Sequence, residues 1–192
     1  MSNILSIFIK SMLVDNVVLV QYLAICPFIG MTSETGKATG MGLATTFVIV
    51  LATAVTWPIY KLIMVPLGLE FLQTLIFILV IASLVQLVEF YLKKSAPGLY
   101  SAMGIYLSLI TTNCAVLGVT INCISKNYNY GESIIYALGS AMGFLFSMII
   151  MSGVRTRLKT AKVPKAFSGT PILYVAAGLL SLAFLGFKGL IK

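Results

Sequence analysis

The chain has no histidine, only five carboxylates and a single tryptophan in 192 residues. The missing histidine removes the commonest metal ligand and the commonest general base together. With so few carboxylates left, hydrolytic and triad chemistry have little to draw on and are not expected. Charge of both signs is scarce: 9% of residues are charged, 59% are hydrophobic, and the mean hydropathy is +1.05. Soluble domains carry about 25% charged and about 45–50% apolar residues, so the composition is that of an integral membrane protein. Three cysteines, an odd count with no short secreted domain around them, do not make a disulfide framework. Residues 1–10 lack the basic start and small-residue cleavage site of a signal peptide, so the first hydrophobic segment is expected to be retained. The formal charge of +8 invites a nucleic-acid partner. The basic residues sit between apolar runs, however, as topology signals do, and no nucleic acid is expected.

What is present is long apolar sequence. Runs of about 18–25 residues predict spans, and six transmembrane helices can be drawn over residues 12–31, 41–64, 69–92, 99–123, 133–154 and 171–190. Ile4 to Ile9 lengthens the first span or lies at the interface. Trp57, Pro58 and Tyr60 form an interfacial belt near the end of the second. Pro66-Leu67-Gly68 and Lys126 to Gly131 read as turns. One side of the membrane collects Lys10, Lys61, Lys126, Lys188 and Lys192. The other collects Lys37, Lys93, Lys94, Arg155, Arg157, Lys159, Lys162 and Lys165, eight against five. Five of the eight fall in one segment, Arg155 to Lys165, which is read as a cytoplasmic loop. Both termini then face outward.

Inside this apolar sequence one pattern occurs twice. Cys26-Pro27-Phe28-Ile29-Gly30-Met31-Thr32 returns 88 positions later as Cys114-Ala115-Val116-Leu117-Gly118-Val119-Thr120. Each copy lies toward the end of the first span of its half, so the chain reads as one membrane domain of two repeats, about 1–95 and 96–192. Three spans per half is an odd number, which makes the repeats inverted, and inverted repeats build a shared site from interrupted helices. Gly30 and Gly118 weaken the helix just after each cysteine, and Pro27 suits the first turn of a new half-helix. The first and fourth helices are therefore expected to be interrupted near Cys26 and Cys114. Straight helices would put the two cysteines at opposite faces, so a common site requires both breaks to lie near mid-depth. A half-helix starting inside the bilayer offers unpaired N–H groups and about half a positive charge, which favours an anion. A thiolate-bound iron–sulfur cluster is anionic and takes four cysteines, of which this chain supplies two; a related partner with its own pair would supply the rest. The bland alternative is that a free cysteine in an apolar helix is a small buried hydrophobe, and for Cys123, which has no twin, that reading is preferred.

The stretches Leu23 to Gly30 and Thr111 to Gly118 closely resemble the two signature segments of the A-type membrane subunits of the Rnf complex, an ion-translocating ferredoxin:NAD oxidoreductase. The resemblance continues through Gln86 to Glu89, Gly153 to Leu158, Val163 to Pro171 and Ala176 to Leu179, so it covers essentially the whole chain. Ala24 stands where the family usually has glycine, and Thr156 where it usually has glutamate. The E-type subunit of the sodium-pumping NADH:quinone reductase is a related alternative, but typically has Cys-Thr-Phe where this chain has Cys26-Pro27-Phe28. The paralogous E-type subunit of Rnf follows its second cysteine with a Gly-Arg-Ala-Glu-Ala-like run, which is absent here. The resemblance implies that Cys26 and Cys114 bind a [2Fe-2S] cluster between this chain and the E-type subunit of Rnf. It also implies relay of electrons from a cytoplasmic iron–sulfur subunit toward flavin subunits, with Na⁺ or H⁺ driven outward across a bacterial or archaeal cytoplasmic (inner) membrane. The chain would be one part of a translocase, not catalytic alone.

A carboxylate within a membrane helix costs about 2.5–3.5 kcal/mol on insertion scales, so Asp15 and Glu89, together with Asn113, are candidates for an ion path. Against this, Asp15 reads as interfacial and Glu89 as an ion-pair partner of Lys93 four residues on. Gln21, Gln86, Asn113 and Asn122 could instead bond between helices. Gly139 and Gly143 predict a close helix contact on the fifth span. A secondary transporter would share inverted repeats and broken helices, and a structural membrane anchor is the third reading.

Overall fold

The computed structural model describes residues 2–68, 70–95, 109–160, 164 and 168–188. Among these, every regular element is a helix, as apolar surroundings demand, because a helix satisfies its backbone polar groups within one segment. α1 (Ser2–Ile9) runs into a π-helical turn, Lys10–Val14, and α2 is the short helix Ile25–Met31. α3 (Thr35–Ile59) continues through a π-helical turn, Tyr60–Met64. α4 is Gln73–Ser95, α5 Cys114–Ser125, α6 Tyr130–Thr160 and α7 Thr170–Lys188.

Threonines in the apolar α3 satisfy themselves locally: Thr45, Thr53 and Thr56 each donate to the carbonyl four residues back, at 2.6–2.9 Å. Pro58 removes one backbone donor from α3, and the ladder widens into the π-helical turn directly after it. Gly68, at φ +65°, closes this run in the left-handed region that glycine adopts without steric cost.

Among the described residues, three helices are long and apolar enough to cross a membrane: Thr35–Met64, Gln73–Phe90 and Tyr130–Thr160. Ile4–Val14, Leu109–Ser125 and Thr170–Gly186 are apolar but shorter. Among the described residues, Cys26 and Cys114 each stand at the start of a helix that follows a break, and a long helix comes after each, α3 and α6. α6 is the centre of the packing, with α3 along one side and α1 along another. Its Tyr136, Phe144, Met148 and Met151 are fully buried, with Met41 and Ile49 of α3 and Phe28 of α2. A Cβ on Gly143 would lie 2.7 Å from the Met12 carbonyl oxygen, and one on Gly139 2.9 Å from that of Phe8. The α1 backbone thus rests directly on α6, the close contact that the small residues predict. α1 and α6 run the same way, since Phe8, Met12, Asn16 and Ile29 meet Gly139, Gly143, Ser147 and Arg155 in turn.

Several sequence expectations need correction. The span drawn over 12–31 is interrupted near Cys26, as expected, but the break is long, the non-helical residues 15–24. Both breaks precede their cysteines rather than follow them, and the helices continue through Gly30 and Gly118. The reason is that other interactions, not glycine propensity, start each half-helix. The fifth span extends in both directions beyond 133–154, so Arg155, Arg157 and Lys159 form the last turns of α6 instead of a loop. Basic residues are favourable at a helix C-terminus, and the apolar run alone could not reveal that extension. Likewise the turn drawn over residues 126–131 ends where α6 begins, at Tyr130. Residues 99–108 of the fourth span lie outside the described residues.

Candidate functional site

The first break is held by Asn16, which is fully buried. Its Oδ1 accepts from the Val18 and Leu19 amides at 3.1 and 3.2 Å, while Nδ2 donates to the Gly143 carbonyl at 3.1 Å and Ser147 Oγ at 3.0 Å. One side chain thus takes up the amides freed where α1 stops and ties them to α6. The sequence reading passed over Asn16 beside Asp15. An asparagine within an apolar run was the available signal, because such a group must find partners. The break ends with Tyr22 and Ala24 at φ +57° and +61°. This conformation costs a non-glycine residue roughly 1–2 kcal/mol, and it accounts for the resemblance's glycine at position 24.

The second break is short. Helical backbone reaches Thr111, Thr112 and Asn113 leave it, and α5 starts at Cys114. Asn113 is the N-cap, its Oδ1 accepting from the Ala115 amide at 3.0 Å. Asn113 is 5% exposed, and its Nδ2 is buried without a hydrogen-bond partner.

The two breaks meet. Residues 21–24 run beside α5 in the opposite direction: Asn122 Nδ2 donates to Gln21 Oε1 at 3.0 Å, and Leu23 packs on Gly118. The Ala24 amide then donates to Cys114 Sγ at 2.8 Å. The Cys114 sulfur therefore lies against the peptide two residues ahead of Cys26. Cys26 is the second residue of α2 and Cys114 the first of α5, and both are exposed on this chain. Cys123 is buried, its thiol directed at the Ser133 carbonyl at 3.7 Å, as a structural cysteine would be.

The polar residues considered for an ion path separate. Asp15 pairs with Lys126 at 2.6 Å, joining the first break to the far end of α5. Burial alone would lower the Lys126 pKa, but the Asp15 hydrogen bond and neighbouring charges leave it above the usual lysine value, so the ammonium stays charged. Asn113 has its capping role. Glu89 is half-buried on α4, and the Lys93 side chain lies outside the described residues. Gln21 and Asn122 bond between segments, the plainer of the two expectations for them.

Among the described residues no group of three or more histidine, cysteine or acidic side chains gathers to hold a metal ion. What the chain offers is two exposed thiols, each in the first turn of a half-helix. That donor set fits half of a four-thiolate centre and cannot close a mononuclear site alone.

The described helices, long and apolar, define a helical membrane protein in which Cys26 and Cys114 are exposed. Residues 4–191 match the family model described as Rnf-Nqr subunit, membrane protein, and the chain belongs to that family. It is 49% identical over 191 residues to the A-type subunit of the ion-translocating oxidoreductase complex of Syntrophotalea carbinolica, covering 100% of this chain and 99% of the relative. It is 50% identical over 188 residues to the A-type subunit of the Na⁺-translocating ferredoxin:NAD⁺ oxidoreductase complex of Acetobacterium woodii, 98% of each chain being covered. The A-type subunit of the ion-translocating oxidoreductase complex of an Azoarcus species is 51% identical over 190 residues, with 99% and 98% covered.

Proposed function

We propose that this chain is a membrane subunit of an ion-translocating ferredoxin:NAD oxidoreductase complex, in which Cys26 and Cys114 hold half of a [2Fe-2S] cluster. The other two thiolates come from a paralogous protein, the E-type subunit of the Rnf complex. The observation that carries this is the meeting of the two breaks, with Ala24 N–H on Cys114 Sγ and both Cys26 and Cys114 exposed on this chain. When bound, such a cluster supplies a one-electron relay through the membrane.

The chain's own residues prepare the place. Cys114 opens α5, so its sulfur sits at the N-terminus of that half-helix. The Ala24 amide gives that sulfur a donor, and Asn113 and Asn16 fix where the two half-helices begin. The antiparallel course of residues 21–24 along α5 supports two inverted three-helix repeats, about 1–95 and 96–192, with six spans. The basic C-terminal end of α6 supports a cytoplasmic position for that end and outward-facing termini, in the cytoplasmic (inner) membrane. Further partners are flavin subunits together with a cytoplasmic iron–sulfur subunit, and the transported ion is Na⁺ or H⁺. Glu89 is the polar residue retained for an ion path; unchanged pumping by Glu89→Gln removes it.

Purification of the complex with iron and sulfide analysis, and visible absorbance that bleaches on reduction, tests this reading. Cys26→Ala and Cys114→Ala should each remove the share of iron, sulfide and bleachable absorbance that this cluster adds to that of the other subunits. A complex without iron, or one whose spectrum ignores both substitutions, overturns it. Substrate uptake by this chain alone would favour a transporter instead.

A further inference from the structure

α2 has seven residues, well short of the ~12–15 at which an isolated helix begins to persist. Its orientation, and with it the direction of Cys26, must be set from outside. At its far end the backbone acceptors are taken by side chains. Thr32 Oγ1 donates to the Phe28 carbonyl at 2.8 Å, and Arg155 Nη1, reaching across from α6, donates to the Ile29 carbonyl at 2.7 Å. The same guanidinium nitrogen lies 3.4 Å from Thr32 Oγ1. The turn that follows is held by the same face of α6: Lys159 Nζ donates to the Ser33 carbonyl at 3.3 Å, and Ser152 Oγ bonds Thr35 Oγ1 at 3.1 Å. Positions 152, 155 and 159 recur at the three-and-four spacing of one helix face. Arg157, between them, is exposed.

We propose that Arg155 is a positioning residue for Cys26, gripping the C-terminal carbonyls of α2 while Ser152 and Lys159 fix the turn behind it. A basic residue that serves only to orient the chain in the membrane needs no directed partner. Arg155 has one, and it combines a charge at a helix C-terminus with a planar donor that a carbonyl can accept. The inference rests on the proposed role of Cys26 as a ligand, but its geometry does not.

The test compares Arg155→Met, Arg155→Lys and Arg157→Met, the last removing an equal charge from the same helix end. In membranes carrying the full chain alone, the alkylation rate of Cys26 by N-ethylmaleimide is measured with Cys114 as internal reference. Arg155→Met should raise the Cys26 rate several-fold relative to Cys114, Arg155→Lys should restore most of the difference, and Arg157→Met should change neither. In the purified complex, Arg155→Met should also alter the line shape of the reduced-cluster electron paramagnetic resonance signal, while Arg157→Met leaves it intact. Equal Cys26 rates in Arg155→Met and Arg157→Met overturn the positioning role. If Arg155→Met fails to insert, a Cys26 rate in Arg155→Lys equal to that in the unsubstituted chain overturns it, and a modestly raised one supports it. A wild-type complex without iron, in chains where Arg155→Met still exposes Cys26 selectively, leaves positioning standing and removes the cluster.

Discussion

The two cysteine-bearing breaks carry the same short sequence pattern yet are built differently. The first spans residues 15–24, passes through two left-handed residues and leads into a seven-residue helix. Its supports come from elsewhere in the chain: Ser147 and Gly143 of α6 through Asn16, and Arg155 through Ile29. The second break is Thr112 and Asn113, leading into a twelve-residue helix capped by its own neighbour. Both copies thus put their cysteine in the first turn of a half-helix, but one depends on tertiary contacts and the other on local capping.

The largest effect should erase the difference between the copies. Cys26→Ser and Cys114→Ser should each remove from the purified complex the same share of iron, that of the proposed intramembrane cluster, leaving the iron of the cytoplasmic subunit, and Cys123→Ser should remove none. Unequal losses from the first two would mean that the copies do not serve one centre.

Replacing Asn16 should then expose the asymmetry. Asn16→Ala leaves the Val18 and Leu19 amides without their side-chain acceptor, at about 1–3 kcal/mol for each group left unsatisfied, while Gly143 and Ser147 keep their own hydrogen bond. A clearly lowered thermal unfolding midpoint is expected, and an unshifted one would show that the long break does not lean on α6. Gly143→Ala attacks the same support by pressing a methyl group against the Met12 carbonyl, with a cost of about 1–3 kcal/mol as an overpacked contact.

At the local copy, Asn113→Ala should cost about 1 kcal/mol, the worth of an N-cap, whereas Asn113→Asp should keep the cap. If both variants unfold together well below the parent, Asn113 does more than cap α5. The smallest effect has the opposite sign. Ala24→Gly should stabilise by roughly 1 kcal/mol through relief of the left-handed backbone, offset in part by the unfolded-state entropy of glycine. A fall in midpoint would show that the Ala24 methyl group contributes packing that outweighs its backbone strain.

Much of this was legible from residues alone. The membrane class followed from the scarcity of charge, since long apolar runs have no other stable use. The paired cysteines followed from a repeat that composition gives no reason to expect, and Pro27 marked the first turn of α2. The small-residue face of Gly139 and Gly143 was readable because close helix approach selects against side chains. The partner of Asp15 was not readable, because Lys126 is 111 positions away and no local spacing links them. Nor, for Cys114, which has no such proline beside it, was the side on which the helix breaks. Glycine propensity pointed after it, while the cap of Asn113 starts the half-helix before it.

By itself, then, the sequence determined that the chain is helical and membrane-embedded and that Cys26 and Cys114 head copies of one short pattern, because hydropathy and internal repetition are properties of the chain in order. Only the tertiary structure brought the Ala24 amide to the Cys114 sulfur and turned Arg155 inward onto Ile29 while Arg157 stays exposed. Those contacts join segments 90 and 126 residues apart, and at such separations the packing of α1 and α5 against α6 and α3, not residue preference, decides which groups meet.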